Sequence, residues 1–262
     1  MQLRVPLARW GLLSELVRRE FGASQRGTLG GGAWLLIQPL FLLAVYTFAF
    51  GVVLRARWGG EGDVETYGFM LFAGLIVFNL FAECFRSAPT LITDNPNFVK
   101  KVVFPLELLA CVLAIASTGR AFISLCVWLV SYTLIVGFPT VSVLYAPLIL
   151  LAFFPALFGV GWLFSALGTV TRDLKQIADL VAHAMLFVTP VFYSIDIIGG
   201  VHQSILLLNP LTFIVQQLRL VLLVGATPDL LGLAIYFASG VFFSAACYLF
   251  FRRLRPMFAD LI

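Results

Sequence analysis

Six long runs of apolar residues leave this chain few folds to choose from. They cover about residues 33–54, 68–85, 108–137, 144–168, 177–195 and 230–251. A bilayer's hydrocarbon core, about 30 Å thick, takes roughly 20 apolar residues per helical crossing, and each run is close to that length or beyond it. A crossing segment must satisfy its own backbone N–H and C=O groups away from water, which selects helices or a closed barrel. Barrel strands would show about ten residues of alternating polarity, whereas these runs are continuously apolar. Composition agrees, with 61% of 262 residues hydrophobic and 11% charged, against about 25% charged in soluble domains. The expectation is an all-α integral membrane protein with six transmembrane helices, residues 1–262 forming a single transmembrane domain.

The charges between the runs orient them. Thirteen of the seventeen basic residues share one side if both termini do: five precede the first run, followed by Arg86, Lys100 and Lys101, then Arg172 and Lys175, then Arg252, Arg253 and Arg255. Basic residues concentrate in cytoplasmic segments, so both termini are expected in the cytoplasm, in keeping with an even number of crossings. The opposite side carries Arg55, Arg57 and Arg219 against Glu61, Asp63, Glu65, Asp196 and Asp229. The net charge of +4 therefore reports orientation. It argues against a nucleic-acid binder, whose basic residues would cluster on one domain face; here they are split among four short segments.

Ahead of the first run, Arg4, Arg9, Glu15, Arg18, Arg19 and Glu20 interrupt the stretch where a signal peptide would keep its apolar core, so this segment is expected to remain on the chain. Within residues 7–26, Trp10, Leu13, Val17 and Phe21 recur at helical spacing. That pattern fits an N-terminal amphipathic interface helix, apolar side in lipid and arginines near headgroups; a solvated helix packed on other protein is the alternative. The glycines of GTLGGGAW, residues 27–34, ease a change of direction before the first span, and Pro39 follows within that span as a point of kinking.

Four polar interruptions remain. In NPNFVKKVVFPLELLA, residues 95–110, Pro96 biases Asn95 away from helical geometry, and Thr93 or Asp94 can cap a new helix starting there. A short helix over 94–103, projecting into the cytoplasm, is expected. TVTRDLKQIADL, residues 169–180, makes a second cytoplasmic turn, where Arg172, Asp173 and Lys175 either pair with one another or face a partner. Arg120 lies inside the third apolar run, where a charge must snorkel, pair, or meet a wet cavity. Finally, residues 189–225 hold two apolar pieces broken at Gly199, Gly200 and Asn209-Pro210, with Gln216, Gln217 and Arg219 in the second. If they crossed the membrane, Arg252, Arg253 and Arg255 would land outside. An external re-entrant hairpin over 197–225, before the last span, is expected instead, a form tolerated where protein or water surrounds the backbone.

Several chemistries are missing from the sequence. His183 and His202 are the only histidines, and neither belongs to a metal-ligand motif, so no metal site is expected. Cys84, Cys111, Cys126 and Cys247 lack CxxC pairing and read as small packing residues. No GxxxxGK[ST] loop occurs, so the chain needs no cofactor of its own and is not expected to hydrolyse ATP. Glu83, Glu107 and Asp179 sit near cytoplasmic ends, leaving no chain of buried acids for proton relay. A transporter of this kind would draw its power from another chain. A structural or receptor-like membrane protein and a lipid-modifying enzyme are the rival classes; the first leaves the cytoplasmic projections unexplained, and the second lacks a catalytic constellation.

The basic surface helix leading into GTLGGGAWLLIQPL, the central NPNFVKKVVFPLELL, GTVTRDLKQI followed by TPVFYS, and NPLTFIVQQLR before the last span occur in the order seen in one family. The chain resembles the membrane subunits of type-2 ABC exporters, among them the O-antigen polysaccharide exporter permeases and the related teichoic acid permeases; capsule exporter permeases share the layout with less of the central motif. The resemblance implies a non-enzymatic half-transporter in the bacterial inner membrane, working as a homodimer with two copies of a separate ABC ATPase that holds ATP and Mg. It implies that the helix over 94–103 docks on that ATPase, with Asp94, Asn95, Pro96, Asn97, Lys100 and Lys101, and Arg172 and Asp173 of the second turn, as coupling residues. The cargo implied is an undecaprenyl-pyrophosphate-linked polysaccharide. On grounds of charge, Arg18, Arg19 and Arg26 are candidates for the lipid phosphate, and Tyr46, Phe48, Trp58, Tyr67 and Tyr193 are candidates for a sugar path near the external end. Aromatic residues also belt membrane interfaces and fill helix packing.

Overall fold

The computed structural model describes residues 5–23, 31–53, 64–99 and 104–258. Among these residues every regular element is helical. Five stretches are long and apolar enough to cross a membrane: Gly31–Phe50, Thr66–Thr90, Glu107–Ile135, Val141–Val170 and Leu230–Met257. They fall on the first four and the last of the six apolar runs, and the chain is a multi-pass membrane protein.

The elements in chain order are α1 (Val5–Ala23), α2 (Trp34–Tyr46, prolonged by a π-helical stretch Thr47–Val53), α3 (Val64–Ser87), α4 (Pro96–Val99), α5 (Glu107–Ile135), α6 (Ala146–Val170), α7 (Leu174–Val188), α8 (Gly200–Leu207), α9 (Pro210–Arg219, prolonged by π-helical Leu220–Val224) and α10 (Leu230–Leu254). α3 is the central post: 78% of its most apolar window is buried, against 11% for α2 and 17% for α10. α5, α6, α7 and α9 all pack on it. Its Phe69 carbonyl accepts from Trp128 Nε1 at 3.0 Å, which lets a buried indole satisfy its N–H inside the bundle. α10 lies along α6 on the periphery.

The fifth apolar run, expected as a span over 177–195, is the 15-residue helix α7, about 22 Å long at 1.5 Å per residue. The physical reason is Pro190. A residue preceding proline is pushed out of helical geometry, and Thr189 is extended at φ −82°, ψ 134°.

The segment after α7 bends by 91° between α8 and α9. Asn209 makes the corner: its side-chain oxygen accepts from Leu211 N at 3.0 Å and its Nδ2 donates to Thr189 Oγ1 at 3.0 Å. An asparagine cap followed by proline is a strong local start signal for a helix. Further on, Val221 O accepts from Ser142 Oγ at 2.7 Å, and Gly225, at φ +79°, lies against Thr140. Thr189 ends α7, while 140–142 join α5 to α6, so both ends of α9 with its π-helical extension touch the same end of the bundle. This is the geometry of a re-entrant segment.

One side chain holds that segment to the post. Arg219 is buried, and its guanidinium donates to Met70 O at 2.9 Å, Pro190 O at 2.5 Å and Val191 O at 2.6 Å. Gly74 of α3 makes the room, since a Cβ there would come within 2.7 Å of Arg219 Nη2. Substituting Arg219→Met should lower stability by roughly 2–4 kcal/mol, because three buried carbonyls lose charge-assisted partners. Arg219→Lys should recover only part of it, since one ammonium cannot match the planar fork. Thermal unfolding in detergent checks both, and native stability in Arg219→Met would remove this anchor from the fold.

Candidate functional site

Two features stand out at the end of the bundle where α3, α6 and α10 finish and α5 and α7 begin. The first is a buttressed turn. After α3, the turn Ala88–Thr90 buries Ala88 and Pro89, and Gly168 of α6 sits directly on the Pro89 carbonyl, with no space for a Cβ. Asp94 N donates to Thr90 O at 2.8 Å, and Asn95 Nδ2 to Leu91 O at 2.9 Å. The Thr93 hydroxyl donates back to Thr90 O at 3.0 Å within the same turn. α4 then presents exposed Asn97 outward, while Phe98 stacks on Phe104 with centroids 4.3 Å apart.

Beneath this turn lies a separate core of Ile92, Leu106, Leu109, Ala166, Phe251 and Phe258, against which Phe98, Val99 and Phe104 pack. Arg255 clamps it, with its guanidinium 3.2 Å from Glu107 Oε2 and from Phe104 O. Trp162 Nε1 adds a bond to Glu107 O at 3.0 Å. On the other flank, Lys175 donates to Arg86 O at 3.0 Å and pairs with Asp179 at 3.1 Å. The turn is therefore tied to the ends of α3, α5, α6, α7 and α10 together.

The second feature is a cavity of about 430 Å³ between α2, α3 and α5. Each helix contributes one stripe at helical spacing: Leu35, Gln38, Pro39 and Leu42; Asn79, Glu83 and Arg86; Ser117, Arg120 and Ser124. Asn79 is an exposed position within an otherwise buried stretch of α3, because it faces this space. Arg120 pairs with Glu83 across it, with Ser117 Oγ at 3.4 Å. From outside, the ring of Phe21 on α1 packs against Gly119 and lies 5.5 Å from the Arg120 guanidinium carbon. The charge in the third apolar run thus pairs and faces a cavity at once, two of the outcomes open to it.

Other expected site residues are dispersed. Asp94, Asn97, Arg172 and Asp173 are exposed and Asn95 and Pro96 half-buried, all at the buttressed end. Arg18 and Arg19 are exposed on α1, opposite half-buried Leu13, Leu16, Val17 and Phe21. At the far end of the bundle, Tyr46, Phe50, Tyr67 and Phe192 form an aromatic cluster. Tyr67 is buried, its hydroxyl donating to Phe192 O at 2.7 Å, and Tyr193 donates to Phe187 O at 2.9 Å. Phe48 is exposed. Lys100, Lys101, Arg26 and Trp58 lie outside the described residues. The cavity's polar stripes escape sequence reasoning because their members come from three helices far apart in the chain. Their i, i+4, i+7 and i, i+3, i+7 spacings were the available signal.

The family model described as "ABC-2 type transporter" matches residues 12–223. The chain belongs to the ABC-2 type transporter family. The family match runs from α1 to the end of the re-entrant segment, taking in the cavity and the buttressed turn and leaving α10 outside it. The chain is also 26% identical over 254 residues to the O-antigen export system permease protein RfbA of Myxococcus xanthus, covering 96% of this chain and 95% of that one. Two proteins of the same name from Klebsiella pneumoniae are 24% and 23% identical over 253 residues, with the same coverage. As an ABC-2 transporter, the chain offers a test of its central ion pair. A double-mutant cycle of Glu83→Gln and Arg120→Gln, followed by thermal unfolding, should give a coupling of at least about 1 kcal/mol, above the usual value for exposed pairs; additive effects would show that the pair does not bind the two helices.

Proposed function

We propose that the chain is the permease subunit of an ABC exporter that carries a lipid-linked polysaccharide, O-antigen, across the bacterial inner membrane. The observation that carries this is similarity over nearly the whole length to O-antigen export permeases, in a chain whose turn at 88–99 packs against α5, α6 and α10. Two copies of the permease pair around a conduit, and two copies of an ABC ATPase bind ATP and Mg on the cytoplasmic side. Both termini lie on that side, as the distribution of basic residues supports.

ATP binding brings the two ATPases together, and α4 with the residues up to 103 transmits that movement. Asp94, Asn95, Pro96 and Asn97 form the grip with Lys100 and Lys101; Arg172 and Asp173 flank it from the neighbouring turn. The movement passes through Pro89 to α6 and through Phe104 and Glu107 to α5, and the dimer opens along its axis. Undecaprenyl-pyrophosphate-linked cargo is drawn to the cytoplasmic face by the positive charge of Arg18, Arg19 and Arg26 on and beside α1. The sugar chain leaves past aromatic residues of the external end, Tyr46, Phe48, Trp58 and Tyr193, whose faces give sugar rings flat apolar contact, while Tyr67 is buried in the cluster behind them.

Reversing both lysines, Lys100→Glu with Lys101→Glu, tests the junction. Co-purification of the ATPase and export of surface polysaccharide should each fall about tenfold or more, the factor that 1.4 kcal/mol of lost contact gives. Membrane insertion, read by fractionation, should stay normal. Unchanged export in the double variant would remove these lysines from the mechanism.

A further inference from the structure

We propose that the cavity between α2, α3 and α5 binds a phosphate or diphosphate group, with Arg86 and Arg120 as its cationic ligands. The lining of the cavity and the chemistry of its arginines carry this. The lining holds two guanidinium groups and one carboxylate, so the space carries an excess positive charge with Glu83 already matched to Arg120. The Nε–H of each arginine is buried away from that space, which leaves the terminal guanidinium nitrogens to meet an anion. The planar guanidinium fork matches phosphate oxygens better than any other side chain does.

The rest of the lining suits an oxyanion. Ser87, Ser117 and Ser124 bring hydroxyls and Gln38 and Asn79 bring amides, all able to donate to phosphate oxygens. The carbonyl end of α3, which would repel an anion, is covered where Lys175 bonds Arg86 O, and Lys175 is balanced in turn by Asp179. About 430 Å³ lies in the range of small-ligand sites, roughly 300–1,000 Å³.

Location points to a lipid as one source of the group. Phe21 of α1 packs at the level of Gly119 and Arg120, so the cavity lies beside the helix whose sequence pattern suits the membrane interface. α2 walls the cavity on one side, and its far face exposes Leu36, Ile37 and Leu40, an apolar surface suited to lipid tails. Glu83 competes with the incoming anion for Arg120, which makes the ion pair the element that ligand binding must loosen. That a lipid carries the group in the cell rests on the export function proposed above, whereas the anion chemistry rests on the cavity alone.

Binding of three probes to the full-length protein in nanodiscs of zwitterionic lipid tests this, with empty nanodiscs subtracted: inorganic pyrophosphate, farnesyl diphosphate and farnesol. Both diphosphates should bind and farnesol should not. Tighter binding of farnesyl diphosphate assigns the site to a lipid headgroup, and equal affinities assign it to free phosphate. Arg86→Gln and Arg120→Gln should each weaken diphosphate binding about tenfold or more, and Arg86→Lys should restore part of it. Glu83→Gln should tighten binding several-fold, a change that a merely structural ion pair would not produce. Farnesol binding as well as its diphosphate would overturn the proposal. So would unchanged affinity in Arg86→Gln at native melting temperature. No ATPase is present, so failure here leaves the export function standing, and loss of export in the lysine variant leaves this site standing.

Discussion

Hydrocarbon offers no partner to a polar group, and the bonds that hold this bundle together answer to that constraint. Arg219 gives its guanidinium to three backbone carbonyls. Trp128 and Trp162 give their indole N–H groups to carbonyls of neighbouring helices. Asn209 serves α9 and Thr189 together. These bonds fall between elements distant in sequence, so satisfying polar groups also fixes how the helices stand against one another. The apolar surface supplies contact without direction; the polar groups supply the register.

The result is a bundle with two differently built ends joined by α3. At one end the re-entrant segment is pinned to α3 through Arg219 and Gly74. At the other, the turn following α3 is wedged between α5, α6 and α10 by Pro89, Phe98, Phe104 and Arg255. α3 also forms a wall of the polar cavity through Asn79, Glu83 and Arg86. One buried helix thus touches the proposed grip for the motor, the cavity and the re-entrant segment. For a protein proposed to be moved by another chain, this arrangement puts the turn, the cavity and the re-entrant segment on one shared helix.

The runs that become α2, α3, α5, α6 and α10 are legible in the sequence because a bilayer demands uninterrupted apolar length. The break at Asn95 and the corner at Asn209-Pro210 are legible because proline restricts its neighbour. The shortness of α7 is hidden, since Pro190 lies in a run that stays apolar on both sides of it. The cavity is the least visible feature: Asn79, Ser117 and Ser124 look like tolerated polar residues until three helices bring their stripes together. Arg120 announces itself, but its partner Glu83, 37 positions away in sequence, is chosen by the packing of α3 on α5.

The proposed role of the buttressed end is open to a direct measurement. A photo-crosslinking amino acid at position 97, which the structure leaves exposed on α4, is activated in membranes of cells that export the polysaccharide, and the captured chains are identified by mass spectrometry. The expected product is this chain joined to an ATP-binding subunit, with the yield changing between ATP-bound and nucleotide-free conditions, and no such product from the same probe at position 199. Capture of the ATPase from position 199, or of no ATPase from position 97, would contradict the assignment of this turn as the point where the motor takes hold.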